Sequence, residues 1–344
     1  METVNYRFMF LSIIIPVYNT PELYLRECLN SCIKQNISPN NYEILCVDDG
    51  SEFACLSVLD EYKRAYPNIF VFSQKNCGVS IARNVGIQQA KGDYVWFVDS
   101  DDFIAHNSLE KLEQIAKEHK ADRINLGAYH FFGEIKDTDS LKPNHALRSI
   151  FCTRSLYKRS FLNQNNLKFE NGISLGEDML FNFLVDQCQH EEAIICDVFY
   201  FYRIHDDSVS HRNKSSLFAK KFIVNHLRAC EIVKEYFRKD SKVSTIRYLH
   251  ADIAQIMIYI SQLPYQEGKN FLEEIIKRKL LPFINLFSKK LLIVIYTNLY
   301  SISLKIICSC SRLRLFYWML CVWAKIWASK PKKKIEKFIK SKIK

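Results

Sequence analysis

Gly92-Asp93-Tyr94-Val95-Trp96-Phe97-Val98-Asp99-Ser100-Asp101-Asp102 decides how this chain is read. An apolar, aromatic and β-branched run of strand length stops in a cluster of carboxylates, so a buried strand is expected to end abruptly at a polar edge. Lys91-Gly92 closes the helix before it. The same arrangement recurs upstream. Ser12-Ile13-Ile14-Ile15-Pro16-Val17 reads as a strand buried on both faces. It is followed by a helix from Pro21 to about Asn36 whose Leu25, Cys28, Leu29, Cys32 and Ile33 share one face. Tyr42 to Val47 is a second strand, running into the turn Asp48-Asp49-Gly50-Ser51. A helix from about Phe53 to Tyr66 ends at Pro67, Ile69 to Phe72 is a third strand, and Asn76-Cys77-Gly78 turns into a helix from Val79 to about Ala90.

This βαβαβαβ order predicts an α/β fold with a mostly parallel sheet and helices on both faces. Open parallel sheets bind ligands outside the carboxyl ends of their strands. Pro16 to Asn19, Asp48-Asp49 and Asp99 to Asp102 all follow such ends, so three separated segments should meet at one sheet edge. Carboxylates gathered there repel one another unless a cation or a donor-rich ligand compensates. Asp99 and Asp101, one residue apart on a bend, suit a hard divalent ion, Mg²⁺ or Mn²⁺. Farther on, a helix from Ser108 to Lys120 is expected, and the pattern loosens beyond about Tyr129, with a polar loop from Glu134 to Asn144. Gly176-Glu177-Asp178 precedes a helix from Met179 to Gln187, Ala193 to Tyr202 reads as a strand, and Ser216 to Lys279 is mainly helical with a break at Pro264.

Four segments in this order resemble the family 2 glycosyltransferases of GT-A fold. They are Ser12 to Asn19, Val47 to Ser51, Gly78-Val79-Ser80-Ile81-Ala82-Arg83-Asn84-Val85-Gly86-Ile87, and Gly92 to Asp102, with weaker matches at Gly176-Glu177-Asp178 and Tyr202-Arg203-Ile204-His205. The resemblance implies a nucleoside-diphosphate-sugar donor, commonly a UDP-sugar, and inversion at the anomeric carbon. By that likeness Pro16, Val17, Tyr18, Asp48, Asp99 and Ser100 would line the donor nucleotide. Asp101, helped by Asp99 and by His205, would bind the metal. Asp178 would be the catalytic base, with Glu177 and Arg203 on the acceptor side. Arg83, near the start of its helix, stands where a cation and backbone N–H groups both face an anion, and is read as a donor contact or as the partner of an edge aspartate. The Gln-x-x-Arg-Trp motif of processive synthases is absent, so transfer of single sugars to a glycan or lipid-linked saccharide is expected.

Two rivals follow from the same residues. A sugar-nucleotide nucleotidyltransferase would carry a Gly-rich basic loop after the first strand, where Pro16-Val17-Tyr18-Asn19-Thr20 stands instead. An inactive membrane scaffold would have no need of the intact acidic set.

The 344 residues exceed a single core, which stops growing near roughly 250–300 residues. We expect a GT-A catalytic domain over 1–215, with a nucleotide-binding half at about 11–105 and an acceptor half at about 106–215. A helical extension over 216–290 and a membrane-associating segment over 291–344 complete the expectation. The net charge of +11 concentrates in that last segment, where Lys330, Lys332, Lys333, Lys334, Lys337, Lys340, Lys342 and Lys344 are opposed only by Glu336. Leu291 to Ser311 is near spanning length, but Asn298, its serines and the lysines beyond it favour an interfacial arrangement. There Trp318, Trp323 and Trp327 would enter the headgroups of an anionic membrane. No nucleic-acid-binding motif is present, so nucleic acid is not an expected partner. The 12 cysteines form no CxxC pair, and Met1 to Phe10 lack a secretory h-region; both point to buried reduced thiols in a cytoplasmic protein on the inner face of the cell membrane.

Overall fold

The computed structural model describes residues 9–132, 151–205 and 215–239, together with parts of 248–278. The chain divides into two compact units, Met1–Arg212 and Asn213–Lys344.

The first unit begins as the sequence pattern predicts. Strands β1 (Leu11–Val17), β2 (Tyr42–Asp48), β3 (Ile69–Ser73) and β4 (Tyr94–Phe97) alternate with helices α1 (Glu22–Ile33), α2 (Phe53–Ala65) and α3 (Val79–Gln89). Every residue of β1, β2 and β4 is buried, which is what an uninterrupted apolar run requires. The exception in composition, Glu43, is satisfied inside: its Oε1 accepts from Ser12 Oγ at 2.7 Å and from the Lys91 N–H at 2.6 Å. Gly86 lets α3 lie directly on β1, since a Cβ there would sit 2.2 Å from Ile14 Cγ2.

The second half departs from simple alternation. After β5 (Phe103–Ile104) and α4 (Leu109–His119) come β6 (Arg123–Phe132), a 3₁₀ turn at Cys152–Arg154, β7 (Ser155–Lys158), α5 (Arg159–Gln164), α6 (Glu177–Gln187) and β8 (Glu192–Ile204). The eight strands form one sheet in the order β3-β2-β1-β4-β7-β6-β8-β5. β1, β2, β3 and β4 pair in parallel, and so do β6 and β8, whereas β7 runs antiparallel to both β4 and β6, and β5 antiparallel to β8. The sheet is therefore parallel where the motifs lie and mixed beyond. Strands β6 and β7 carry no clean apolar alternation, because polar side chains are buried in them. Arg123 pairs with Asp186 at 3.2 Å, and Ser155 Oγ donates to Asn125 Oδ1 at 3.1 Å.

In the second unit α7 (Ser216–Lys239) buries Ala219, Ile223, Leu227 and Cys230, and α8 (Tyr265–Lys277) begins directly after Pro264. Pro264 thus starts a helix, and its carbonyl accepts from the Gly268 N–H at 3.0 Å. Among the described residues no helix is long and apolar enough to cross a membrane. The expected loop from Glu134 to Asn144 and the expected membrane segment over 291–344 lie outside the described residues.

Candidate functional site

The parallel register brings the carboxyl ends of β1, β2 and β4 to one edge, with Val17 beside Asp48 and Ile14 beside Phe97. Side chains then tie the loops that follow. Asn19, at φ 47°, donates its N–H to Ser51 Oγ at 3.0 Å and accepts the Glu52 N–H on Oδ1 at 2.7 Å. Thr20 Oγ1 lies 2.6 Å from Ser100 Oγ. Asp48 accepts the Ser51 N–H at 3.0 Å, which closes the acidic turn. Asp49 reaches the next loop, accepting from the N–H groups of Cys77 and Gly78 at 2.8 Å each, and Gly78 takes the φ of +93° that this turn demands. Of the residues expected to line a donor, Pro16, Val17 and Asp48 are buried in this edge, while Tyr18 is 53% exposed.

Helix α3 binds the two halves of the unit together. Ser80, Arg83 and Asn84 fall at i, i+3 and i+4, hence on one face. Ser80 Oγ donates to the Ile173 carbonyl at 2.5 Å; Asn84 donates to the Phe169 carbonyl and accepts the Phe169 N–H, both at 2.8 Å. These bonds hold the segment that leads into Gly176, whose φ of +82° opens α6 with Glu177 and Asp178 in its first turn. Between them Arg83, fully buried, points both terminal nitrogens at carboxylates. Nη2 meets Asp99 Oδ1 at 2.8 Å, and Nη1 meets Glu177 Oε1 at 3.0 Å and Asp178 Oδ1 at 2.7 Å. Its guanidinium carbon lies 5.1 Å from the centre of the Phe169 ring. One arginine, 95 residues before Asp178 in the sequence, thus joins the loop after β4 to the start of α6.

A second group fixes the rest of that loop. Asp102 is buried, accepting the Tyr200 hydroxyl on Oδ2 and the Arg203 N–H on Oδ1. Arg203 Nε donates to the Asp101 carbonyl at 3.0 Å, its Nη2 pairs with Glu27, and its guanidinium lies 4.5 Å over Tyr24. The structure places Arg203 beneath the acidic loop, as a clamp upon it. His205 Nε2 lies 3.0 Å from Asp101 Oδ2, so the expected metal residues Asp101 and His205 are adjacent, while Asp99 turns toward Arg83. Among the described residues no group of three or more His, Cys, Asp or Glu side chains is assembled to hold a metal ion.

The electrostatics follow from burial. Burial, and then Asp99 nearby, push the Asp101 carboxyl above its ordinary range, with His205 opposing. Burial also raises Asp178, against the pull of Arg83. Glu177 is pushed up to about 7 by burial and by Asp178 beside it. The folded protein therefore holds a proton at this pair more tightly than the unfolded chain does. The stability this contributes is full below the ordinary glutamate range and is lost as pH rises through about 7. The result is a buried carboxylate pair at the start of α6, joined through Arg83 to an edge of loops that carries a second set of carboxylates.

Three contributors were not foreseen from sequence: Cys152, whose thiol meets Asp178, and Tyr200 and Glu27, which hold the loop through Asp102 and Arg203. None belongs to a motif. Tyr200 stands in a run of strand aromatics, and Glu27 on an ordinary helix, so spacing offers no signal for either.

Comparison with known proteins bears on residues 12–188, which match the model of the family described as glycosyl transferase family 2. A poly(ribitol-phosphate) beta-glucosyltransferase of Bacillus spizizenii is 30% identical over 264 residues, spanning 72% of this chain and 41% of that protein. An uncharacterized glycosyltransferase of Bacillus subtilis, EpsJ, is 29% identical over 218 residues, 58% of this chain and 62% of its own length. The chain thus spans less than two thirds of either relative. Among solved structures, S. aureus TarS 1–349 in complex with UDP-GlcNAc superposes with a TM-score of 0.54 at 21% identity, over 79% of this chain and 88% of that one. This likeness is one of fold.

Proposed function

The chain belongs to glycosyl transferase family 2, and from that premise we propose that it moves one sugar from a nucleoside-diphosphate sugar, of the UDP class, to a hydroxyl of a glycan or lipid-linked saccharide, with inversion. The observation that carries this reading is the triple contact of Arg83, which joins Asp99 on the donor edge to Asp178 at the start of α6. A donor seated over β1, β2 and β4 would lie within reach of a base held by the same arginine. The relatives support the chemistry: the Bacillus spizizenii protein is named a glucosyltransferase, and the TarS structure holds UDP-GlcNAc.

In this reading Pro16, Val17, Tyr18 and Asp48 seat the base and ribose, with Ser100 at the diphosphate. Asp178 takes the proton of the acceptor hydroxyl as its oxygen attacks the anomeric carbon. Arg83 keeps that carboxylate in place, with Glu177 beside it on the same guanidinium. Asp101 and His205, which are adjacent, would hold a divalent ion such as Mn²⁺ or Mg²⁺, with Asp99, bound to Arg83 in this structure, as the further carboxylate to be recruited. A divalent ion there supplies positive charge to the leaving diphosphate. Peripheral attachment to the inner membrane face belongs to the proposal too, resting on the sequence of 291–344. Removing residues 312–344 is expected to release the protein from membrane fractions, and continued attachment would remove that part.

The experiment that tests the function is a thermal-shift screen of nucleotide sugars with and without Mn²⁺, followed by measurement of nucleoside-diphosphate release. A ligand that binds the folded state raises its midpoint. A UDP-sugar that does so and is turned over supports the transferase, whereas turnover of nucleoside triphosphates with a sugar phosphate supports the nucleotidyltransferase. The pH profile gives a further check. Because burial raises the Asp178 carboxyl above its ordinary range, the base gains its proton, and transfer is expected to decline, at a pH above the usual carboxylate range. A profile flat down to about 4, the ordinary carboxylate range, would contradict it.

A further inference from the structure

Cys152 opens the 3₁₀ turn that enters β7, and its side chain is fully buried. Its Sγ donates to Asp178 Oδ1 at 3.1 Å. Arg83 Nη1 donates to the same oxygen at 2.7 Å. Two side-chain donors from different elements, α3 and the turn before β7, therefore converge on one carboxylate oxygen. The other charged groups around Asp178 are Glu177 on its own helix and Asp99 on the loop after β4, and both are acceptors bound to Arg83. Among the described residues the thiol is thus the one side-chain donor besides Arg83 that this cluster gives Asp178, and the Cys152 backbone N–H supports it from the same turn. Burial keeps the thiol protonated, so it serves as a donor and adds no charge.

A carboxylate rotates easily about its Cβ–Cγ bond and offers lone pairs on both oxygens. Two donors on Oδ1 hold it by one side. That leaves the lone pairs of Oδ2 for an incoming hydroxyl, with the fixed geometry a proton transfer needs.

Resting on the reading of Asp178 as general base, we propose that Cys152 is a positioning residue whose thiol, together with Arg83, pins Asp178 Oδ1 so that Oδ2 is the oxygen that receives the acceptor proton. The thiol takes no part in bond making.

The test is a double-mutant cycle on the full chain, reading steady-state transfer, donor KM and thermal midpoint for C152A, C152S, D178N and C152A/D178N. C152A is expected to lower kcat about five- to tenfold, the worth of one ordinary hydrogen bond, as suits a weak thiol donor, with donor KM and midpoint close to the parent. C152S, which restores a donor, is expected to recover most of that loss. In the D178N background the C152A change is expected to have no further effect, since the thiol acts through Asp178. Should C152A fail to fold, Cys152→Val fills the space without a donor and carries the same expectation. A parent-like kcat for C152A, an equal loss with and without Asp178, or no recovery in C152S overturns the positioning role while leaving the base in place. Parent-like transfer by D178N overturns the base and the positioning role together.

Discussion

Replacing Asp178 with asparagine is expected to leave donor binding intact and to lower transfer by about 10²–10⁴, the usual worth of a positioned general base. Asparagine keeps the size and the carbonyl oxygen that Arg83 and Cys152 address, so the first turn of α6 should hold its shape. What disappears is the capacity to take a proton. Because Asp178 lies at the α6 end of the Arg83 contact and not among the loops after β1, β2 and β4, a nucleotide seated on that edge should bind the variant as it binds the parent. Donor affinity by calorimetry and transfer by product release separate the two effects. Normal affinity with lost turnover supports the assignment; transfer near the parental rate removes Asp178 from it.

The second large effect belongs to Arg83→Met. Arg83 has 3% of its side chain exposed and stands between Asp99, Glu177 and Asp178, of which the latter two are themselves mostly buried. Methionine fills much of the volume but leaves these carboxylates facing one another without a cation. Breaking a buried ion pair from one side costs about 3–5 kcal/mol. Loss of the tether should also separate the donor edge from the base, so activity is expected to fall with stability. Arg83→Lys keeps the charge but has one nitrogen where the guanidinium uses two, and is expected to recover stability only in part. Urea unfolding measures this directly; a loss below about 1 kcal/mol for Arg83→Met would mean that the cluster is compensated in another way.

The donor edge was legible in the sequence because each of its strands is a short, mainly apolar run that gives way to a polar stretch, a signal that depends on neighbours in the chain alone. β1, β2, β3 and β4 follow that rule, and parallel pairing gathers their ends. β6 and β7 do not, since Arg123, Asn125 and Ser155 are buried with polar partners that only folding supplies. The site divides in the same manner. Asp99, Asp101 and Asp178 stand in recognisable clusters, whereas the contacts that set their geometry bridge distant segments: Arg83 with Asp178, Tyr200 with Asp102, and Cys152 with Asp178. Arg83 illustrates the difference. Its place at the start of a helix favoured a donor phosphate or base over an edge aspartate or solvent, and the fold puts Asp99, Glu177 and Asp178 around it.

The most direct measurement is a crystal structure of the full chain with UDP and Mn²⁺. The uridine is expected against Pro16, Val17, Tyr18 and Asp48, the diphosphate at Asp99 to Asp101, and the open side of the β-phosphate facing Asp178. Nucleotide bound elsewhere, with those residues untouched, would contradict it.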